Sequence, residues 1–396
     1  MNNARLRWLT ENLDYLRIPL NAVEREHVSG SVPYWGANKI VDYVDTALLD
    51  EKVVLIGEDG APFYDPFKDV AFVSEGPIWP NNHIHVLRPD TSKISHEFLA
   101  YYLNQVDYSL YTNGSTRDKL TQFQLGSIVV RFPDVAHQAQ ITRFLDRETA
   151  RIDGLIEKKA RFIALLNEKE KAKISHLVRV GVDPDAKMID AGVEWRGKVP
   201  THWTRGRMKN HFRPQKRLGY ETLTVLSVYR EYGVIEKASR DDNINKTPED
   251  LSKYQMVNPN DLVINKMKAW QGSMGIAGMQ GITSPDYVVM EPVGEHDPRY
   301  MHHYLRARPM PWLYRLISNG IRTDQWRLEP EKFLILPIFL PPLEEQRAIA
   351  DEIDRELDRI RNLIAKTEQS IALLKEKRAA LITAAVTGKI DARSAA

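Results

Sequence analysis

The 396-residue chain contains no cysteine, which excludes disulfide bonds, thiolate metal sites and cysteine nucleophiles. It also lacks an uninterrupted run of about 18 apolar residues, so no membrane-spanning helix is predicted. The net charge is only +2, so a polyanionic partner would need a local basic face. We expect a soluble, cytoplasmic protein with two domains, because the chain is too long for one ordinary core.

Catalytic motifs are also missing. The chain has neither a G-x-x-x-x-G-K-[ST] loop for nucleotide phosphates nor an Asn-Pro-Pro-aromatic run of the kind that adenine methyltransferases use. The one candidate metal cluster groups His296, His302 and His303 with Glu295 and Asp297. Adjacent histidines point to different sides of a helix, so we predict no metal site and no catalysis by this chain.

The strongest positive feature is an internal repeat. Residues 133–183 align without a gap on residues 341–391, at an offset of 208 positions. Gln138 falls on Gln346 and Asp146 falls on Asp354, among many other identities. The repeat predicts two helices of one design at the ends of two halves that are otherwise dissimilar.

Both copies carry apolar residues at alternating steps of three and four, the pattern of a coiled-coil seam. The predicted seam comprises Leu145, Ile152, Ile156, Ile163, Leu166, Ile353, Leu357, Ile360, Ile364, Ile371, Leu374 and Leu381. A helix of about 40 residues spans roughly 60 Å. Neither copy has a globular neighbour beside it in sequence, so we expect each seam to pack against the other.

The segments around the repeat show short apolar runs, Gly-centred turns and short helical stretches, an α+β pattern. Five segments are predicted: a first domain over 1–132, a first repeat helix over 133–183, a linker over 184–203, a second domain over 204–338 and a second repeat helix over 339–396. The predicted architecture is two globular domains separated by an antiparallel coiled coil of two long helices.

Loops of both domains combine cations, amides and aromatic residues, the groups that grip phosphates and read base edges. Each loop taken alone is more often an ordinary solvated turn. The DNA-contact candidates are Arg17, Arg25, Lys39, Asn81, Asn82, His83, Ser115, Thr116, Arg117, Lys119, Lys216, Arg217, Lys266, Lys268, Trp270, Gln271, Arg322, Thr323, Gln325 and Arg327. Asn113-Gly114 and Asn319-Gly320 open cation-bearing loops at equivalent places in the two halves, which favours a shared contact function.

These features resemble the DNA-specificity (S) subunit of type I restriction-modification systems. The run from Pro341 to Ile349 (PPLEEQRAI) and the helix end from Ala384 to Ile390 are similar to the C-terminal repeat of that family. The stretch from Trp195 to Trp203 resembles the family's entry into its second recognition domain. The first copy departs from the family pattern at residues 134–138, where a Pro-Leu-x-Glu-Gln run is usual.

The resemblance implies a non-catalytic chain in which two target-recognition domains each read one half of a split sequence in double-stranded DNA. It further implies recruitment of two methyltransferase (M) subunits and of restriction/translocase (R) subunits. S-adenosylmethionine, ATP and magnesium would belong to those partners. Two other interpretations remain open: a coiled-coil scaffold without base-specific recognition, and an enzyme that uses the cluster of Glu295 and His302.

Overall fold

The computed structural model describes residues 1–112, 118–240, 247–320 and 326–390. The chain forms two compact units. Unit 1 contains Met1–Arg161 and Lys366–Ala396, and unit 2 contains Phe162–Ala365. The divisions between the units therefore lie inside the two long helices, whereas the sequence suggested the helix ends.

The helices are α1 (Ala22–His27), α2 (His96–Leu103), α3 (Gln122–Ser127), α4 (Val135–Val180), α5 (Pro298–Arg306), α6 (Met310–Leu316), α7 (Pro330–Leu334) and α8 (Leu343–Val386). The long helices α4 and α8 correspond to the two repeats. Within the described ranges, none of the helices has the length and apolarity required to traverse a bilayer.

Unit 1 contains the strands β1 (Asn2–Arg5), β2 (Thr10–Asn12), β3 (Ser29–Trp35), β4 (Ile40–Val44), β5 (Leu49–Asp50), β6 (Val53–Gly57), β7 (Ala71–Ser74), β8 (Pro77–Pro80), β9 (Ile84–Pro89) and β10 (Val129–Phe132). They form one sheet in the order β2-β9-β6-β7, a second in the order β4-β3-β8-β5, and the pair β1-β10. All five residues of β6 are buried, so this strand runs through the core.

Unit 2 contains the strands β11 (Met188–Asp190), β12 (Lys198–Pro200), β13 (Thr204–Arg207), β14 (Phe212–Pro214), β15 (Leu226–Tyr229), β16 (Gly233–Glu236), β17 (Gln255–Val257), β18 (Leu262–Asn265), β19 (Met274–Ile276), β20 (Gly281–Thr283), β21 (Tyr287–Pro292), β22 (Ser318–Asn319), β23 (Arg327–Leu328) and β24 (Pro337–Leu340). Its four-stranded sheet has the order β14-β21-β18-β19, and β13 pairs with β24.

The two units share one topology. Their antiparallel four-stranded sheets correspond strand for strand, and in each unit the strand that begins the domain pairs with the strand that precedes the long helix. The fold class predicted from the sequence is confirmed: the chain is α+β, with two sheet-rich units and long helices that belong to both.

Within each unit, segments of both long helices complete the core. In unit 1, Ile141 and Leu145 of α4 join Ile382 and Val386 of α8 in one apolar cluster. Farther along α4, Asp153 pairs with Arg378 at 3.1 Å. As the residue number rises along α4, the residue number of the contacting position in α8 falls, so the two segments run antiparallel. In unit 2, the last turns of α4 pack in the same core cluster as the first turns of α8.

The predicted seam residues lie on the less exposed side of their helices. Leu145, Ile152, Leu166, Ile353, Leu357 and Ile360 are buried, and Ile156, Ile163, Ile364, Ile371, Leu374 and Leu381 are half-buried. Off the seam, Leu165 and Leu373 remain 60% and 57% exposed. The heptad spacing therefore separates inward from outward leucines.

The segment predicted as a linker is folded. It forms the β11-β12 hairpin, and Ala191, Val199 and Trp203 are buried in the core of unit 2. Its glycines at 192 and 197 lie in the turn between the two strands, and Pro200 lies in β12 opposite Met188. In that turn, Gly197 has a φ of +67°.

Candidate nucleic-acid interface

Three loops of unit 1 converge at one edge. The amide of Asn81 donates to the carbonyl of Trp35 at 3.1 Å, and the amide of Glu58 donates to the carbonyl of His83 at 2.9 Å. Lys119 joins them through a β-bridge to Asp59. We call residues 36–39, 58–60, 81–83 and 118–119 loop surface 1.

Several predicted contact residues lie on loop surface 1. Lys39 and Asn82 are exposed, and the half-exposed His83 contacts Asp59 at 2.6 Å. Asn81 is buried instead, where its side-chain oxygen accepts from the amide of His83. The predicted Ser115, Thr116 and Arg117 precede residues 118–119 of this surface in the chain and lie outside the described residues.

A buried ion network supports loop surface 1. Glu58 pairs with Arg17 and, at 3.0 Å, with Lys119. Burial alone would raise the pKa of Glu58, but hydrogen bonds from Arg17 and Lys119 hold that pKa below its usual value. Arg17 also donates to the carbonyl of Ile84 and is only 13% exposed, so it is a structural residue and not a free DNA contact.

Asp14, Glu58 and His85 bring ligand-type atoms within 4.8 Å of one another. However, the carboxylate of Asp14 already faces the ring nitrogen of His85 at 2.6 Å and accepts from the amide of Val86 at 2.9 Å and from Gln122 at 2.9 Å. These donors already occupy most of the oxygen lone pairs that a cation would need. This donor set fits a closed hydrogen-bond network better than a metal site.

Arg25 also has a structural position in unit 1. Its guanidinium contacts Asp42 at 2.8 Å, donates to the carbonyl of Leu20 at 2.8 Å and lies over the ring of Tyr34. These contacts attach α1 to the β3-β4 hairpin. Leaving them to bind DNA would cost the protein three interactions.

In unit 2, the predicted residues after β18 meet the chain that follows the second Asn-Gly loop. Leu328 donates its amide to the carbonyl of Lys266 at 3.0 Å, and Arg327 donates to the sulfur of Met267 at 3.0 Å. The rings of Trp270 and Trp326 meet edge to face with centroids 5.8 Å apart. We call residues 266–271 and 326–327 loop surface 2.

The side chains of loop surface 2 combine positive charge with flat aromatic area. Lys268 and Arg327 are exposed, while Lys266, Trp270 and Gln271 are half-buried. Such a combination can neutralise phosphates and stack on or hydrogen-bond to bases. The predicted Arg322, Thr323 and Gln325 lie outside the described residues.

The other two candidates of unit 2 lie beside the β14-β21 pair. Lys216 is exposed. Arg217 pairs with Asp261 at 2.7 Å and with Glu291 at 2.8 Å and is only 17% exposed. Like Arg17, Arg217 is part of the ionic framework of its unit.

The histidines considered as a metal cluster face different neighbours. His302 accepts a hydrogen bond from Arg306, whereas His303 faces Asp354 and His296 packs against Phe212. Burial lowers the pKa of His302 to about 3 and that of His303 to about 4. Their environment is that of neutral core histidines.

Sequence reasoning did not include two residues of this region. Trp326 lies in the predicted loop but was not selected, and Arg315 of α6 lies with its guanidinium 5.1 Å from the Trp326 ring centroid. Trp326 could have been selected by the same criterion as Trp270. Arg315 had no sequence signal, because only the packing of α6 against the 3-10 turn at Ala269–Gln271 brings it close.

Comparison with known proteins adds independent findings. Residues 17–161 match the family described as the type I restriction modification DNA specificity domain. A 123-residue segment is 37% identical to a putative type I restriction enzyme specificity subunit, S.HindORF215P, of Haemophilus influenzae, and covers 31% of each chain. A 209-residue segment is 22% identical to the StySPI specificity subunit of Salmonella potsdam and covers 49% of this chain and 45% of that subunit. The matched segments thus span less than half of these relatives.

Two solved structures resemble the chain over nearly its whole length. One belongs to work on complex assembly and conformational transition of the type I R-M system, with a TM-score of 0.66, 15% identity and 97% coverage of both chains. The other is the HsdS subunit from Thermoanaerobacter tengcongensis, with a TM-score of 0.51, 16% identity and coverage of 98% and 97%. At such identities these likenesses establish the fold. Residues 17–161 therefore match a type I restriction modification DNA specificity domain, and the whole chain shares the fold of these solved structures.

Proposed function

We propose that this chain reads a two-part DNA sequence for a type I restriction-modification complex, one half with each unit. The observation behind the proposal is that an equivalent backbone hydrogen bond occurs in both units, with different side chains around it. Leu120 donates its amide to the carbonyl of Glu58, and Leu328 donates to that of Lys266, again at an offset of 208. The duplicated scaffold therefore presents different chemistry at equivalent positions.

The charge of the residue whose carbonyl accepts this hydrogen bond is reversed between the units. In unit 1 the residue after the central strand is Glu58, which pairs with Lys119. In unit 2 the equivalents are Lys266 and Arg327, and Arg327 contacts a methionine sulfur. Side chains of opposite charge and different shape favour different base edges, which supports an asymmetric target.

We further propose that the helices recruit two copies of one methyltransferase subunit, with a restriction/translocase subunit joining them. The repeat exposes equivalent leucines to equal extents: Leu155 and Leu363 are both 39% exposed, and Leu165 and Leu373 are 60% and 57% exposed. Two similar apolar sites suit two identical partners. S-adenosylmethionine, ATP and magnesium are proposed to bind those partners, while this chain supplies recognition without catalysis.

Mapping of adenine methylation across the host genome, with and without this gene, tests the proposal. We expect deletion to remove methylation from one class of split sites. Methylation lost from a continuous motif, or not lost at all, would contradict it. A scaffold without base recognition predicts that purified complexes bind all sequences equally, so binding competition with scrambled half-sites separates that alternative.

Single substitutions test the assignment of the two surfaces. Arg327→Ala is expected to weaken binding at one half-site, and Lys119→Ala at the other, each with a reduction of about one in the salt slope if a phosphate contact is lost. Lys253→Ala removes an exposed lysine that belongs to neither surface as defined above and serves as the control. Equal losses for both variants on every DNA sequence would show that these residues carry no base information.

A further inference from the structure

One glutamine of each repeat is buried and holds the globular part of its own unit. In unit 1, Gln138 of α4 is 0% exposed. Its side-chain amide donates to the carbonyls of Lys93 and Pro133, both at 2.8 Å, and its oxygen accepts from the amide of Ser95 at 2.8 Å. Ser95 is the N-cap of α2, so the glutamine attaches the long helix to the first turn of a domain helix.

The same contact exists in unit 2. Gln346 of α8 is 3% exposed. Its oxygen accepts from the amide of Asp297 at 2.9 Å, and its amide donates to the carbonyl of Pro341 at 2.9 Å. Asp297 is the N-cap of α5. The cap residues differ in type, yet the contact is made by the backbone and is therefore preserved.

An aspartate eight residues later makes a second contact to the same domain helix. Asp146 accepts from the hydroxyl of Tyr101 at 2.7 Å. Its equivalent Asp354 pairs with Arg299 at 2.8 Å and lies 3.8 Å from His303. Eight residues correspond to about 12 Å along an α-helix, so the two contacts hold the domain helix at separated points.

We propose that the repeated pairs, Gln138 with Asp146 and Gln346 with Asp354, form a domain clamp that fixes the orientation of each recognition domain on its long helix. The inference rests on the proposed function insofar as that orientation sets the spacing of the two half-sites. A single contact would let the domain helix rotate about that point. Two contacts about two turns apart fix the angle between the domain helix and the long helix. A buried side chain with directional hydrogen bonds accepts one geometry, which apolar packing alone does not impose.

The clamp also explains why glutamine and aspartate recur in helices whose domains have diverged. The domain side of the glutamine contact is a backbone amide, which does not depend on domain sequence. The domain side of the aspartate contact changes from a tyrosine to an arginine and a histidine. Tyrosine, arginine and histidine side chains can each donate a hydrogen bond, so an aspartate can accept one in either unit.

Spin-label distances test the clamp without DNA. The chain has no cysteine, so labels at Lys253→Cys in the domain and Asp358→Cys on α8, both exposed residues of unit 2, report the domain orientation by pulsed electron resonance. The full chain with Gln346→Met and Asp354→Ala should give a broader or shifted distance distribution. The control pair Glu368→Ala and Gln369→Met alters exposed residues of the same helix and should leave it unchanged.

Binding to split DNA sites gives the second readout. With both half-sites intact and the spacer lengthened or shortened by one base pair, the clamp variant is expected to lose on the order of tenfold in discrimination between spacers, a factor that corresponds to about 1.4 kcal/mol. The affinity for DNA with the best spacer should fall by a smaller factor than the discrimination between spacers. If Gln346→Met with Asp354→Ala does not fold, Asp354→Ala alone, at a half-exposed position, is measured in its place.

The outcomes separate the two proposals. Distance and spacer profiles identical to those of the control would overturn the clamp and leave the residues a role in stability alone. A wild-type chain without any spacer preference would overturn the proposed function, while the distance measurement would still decide whether the pairs orient the domain.

Discussion

Residues at equivalent positions in the two units show how one backbone arrangement carries two different sets of side chains. Glu58 and Lys266 follow the central strands of their sheets and accept the same backbone hydrogen bond through their carbonyls. Their side chains carry opposite charges, and so the neighbouring cations behave differently. Lys119 is held by Glu58, which raises the pKa of Lys119, whereas Arg327 has Met267 as a neighbour.

Arg196 shows how a buried cation can be structural without a carboxylate. It is 2% exposed and donates to the carbonyls of Val178 and Arg179 at 3.3 Å. Those carbonyls lie at the end of α4, where backbone acceptors lack intrahelical donors and the helix dipole is negative. Its guanidinium also lies over the rings of Trp203 and Tyr304.

Replacement of Arg196 by leucine should lower the free energy of unfolding by about 2 to 3 kcal/mol, because it removes two hydrogen bonds at the end of α4 and the contacts of the guanidinium with two aromatic rings. Urea titration of the full chain measures the effect. Lys198→Leu, at an exposed position in the same hairpin, is the control and should change stability by less than about 0.5 kcal/mol. Equal effects of the two substitutions would refute the capping role.

At the scale of elements, α4 and α8 have two kinds of apolar residue. Those at seam positions are buried or half-buried, and leucines between them, such as Leu165 and Leu373, are exposed. The same helix therefore stabilises the fold with one face and leaves another available for a partner. This division agrees with the 3.5-residue period of the seam.

Alanine substitution should separate the two faces. Ile360→Ala removes a side chain that is 2% exposed and should cost about 2 to 4 kcal/mol of unfolding free energy. Leu373→Ala, at 57% exposure, should cost less than about 1 kcal/mol. Thermal and urea unfolding measure both, and a comparable loss at both positions would show that the exposed face is packed in solution.

Helix α5 makes unit 2 sensitive to acid. Burial keeps the pKa of His302 at about 3 and that of His303 at about 4, against an ordinary value of 6.5. As the pH falls below 6.5, the unfolded chain takes up protons that the folded chain does not, so stability falls between about pH 6.5 and pH 4. Each such histidine contributes a slope of about 1.4 kcal/mol per pH unit. Carboxylates such as Glu58, whose pKa is lowered, lose their contribution only at lower pH.

The histidine contribution can be measured by urea titration at pH 7, 6 and 5. His303→Gln should reduce the pH slope by about one proton, whereas His176→Gln, at an exposed position on α4, should not change it. An unchanged slope in His303→Gln would mean that Asp354, which faces His303, keeps the imidazolium stable in the folded state.

At the scale of the whole molecule, duplication with divergence supplies two units of one topology and two helices of one design. We propose that the helices determine the distance between the two half-sites. Removal of one heptad from each, residues 156–162 and 364–370, shortens each helix by about 10 Å. At about 3.4 Å per base pair the spacer should shorten by about three base pairs.

Methylation mapping of the shortened variant measures its spacer directly. Retention of the antiparallel pairing is checked by its unfolding transition. A variant that folds and still methylates sites with the original spacer would refute the helices as the determinant of spacing.

Much of this fold could be predicted because its signals are local in sequence. The heptad seam and the alternation of strands with turns are each visible within about 50 residues, and the repeat is visible when two such segments are aligned. The fold class follows from these three features. The folded hairpin at residues 188–200 was not predicted, because its turn residues read equally well as a linker. Its burial depends on a core formed by distant elements.

The sequence by itself determined the duplication, the helical seam and the resemblance to DNA-specificity subunits, since spacing and motif are properties of the chain. Only the tertiary structure decided which cations are available. Arg17, Arg25 and Arg217 read as DNA contacts in sequence, yet they pair with carboxylates 41, 17 and 44 residues away. Lys39, Lys268 and Arg327 remain exposed. The physical reason is that an ion pair depends on distance in space, which residue type and loop position do not encode.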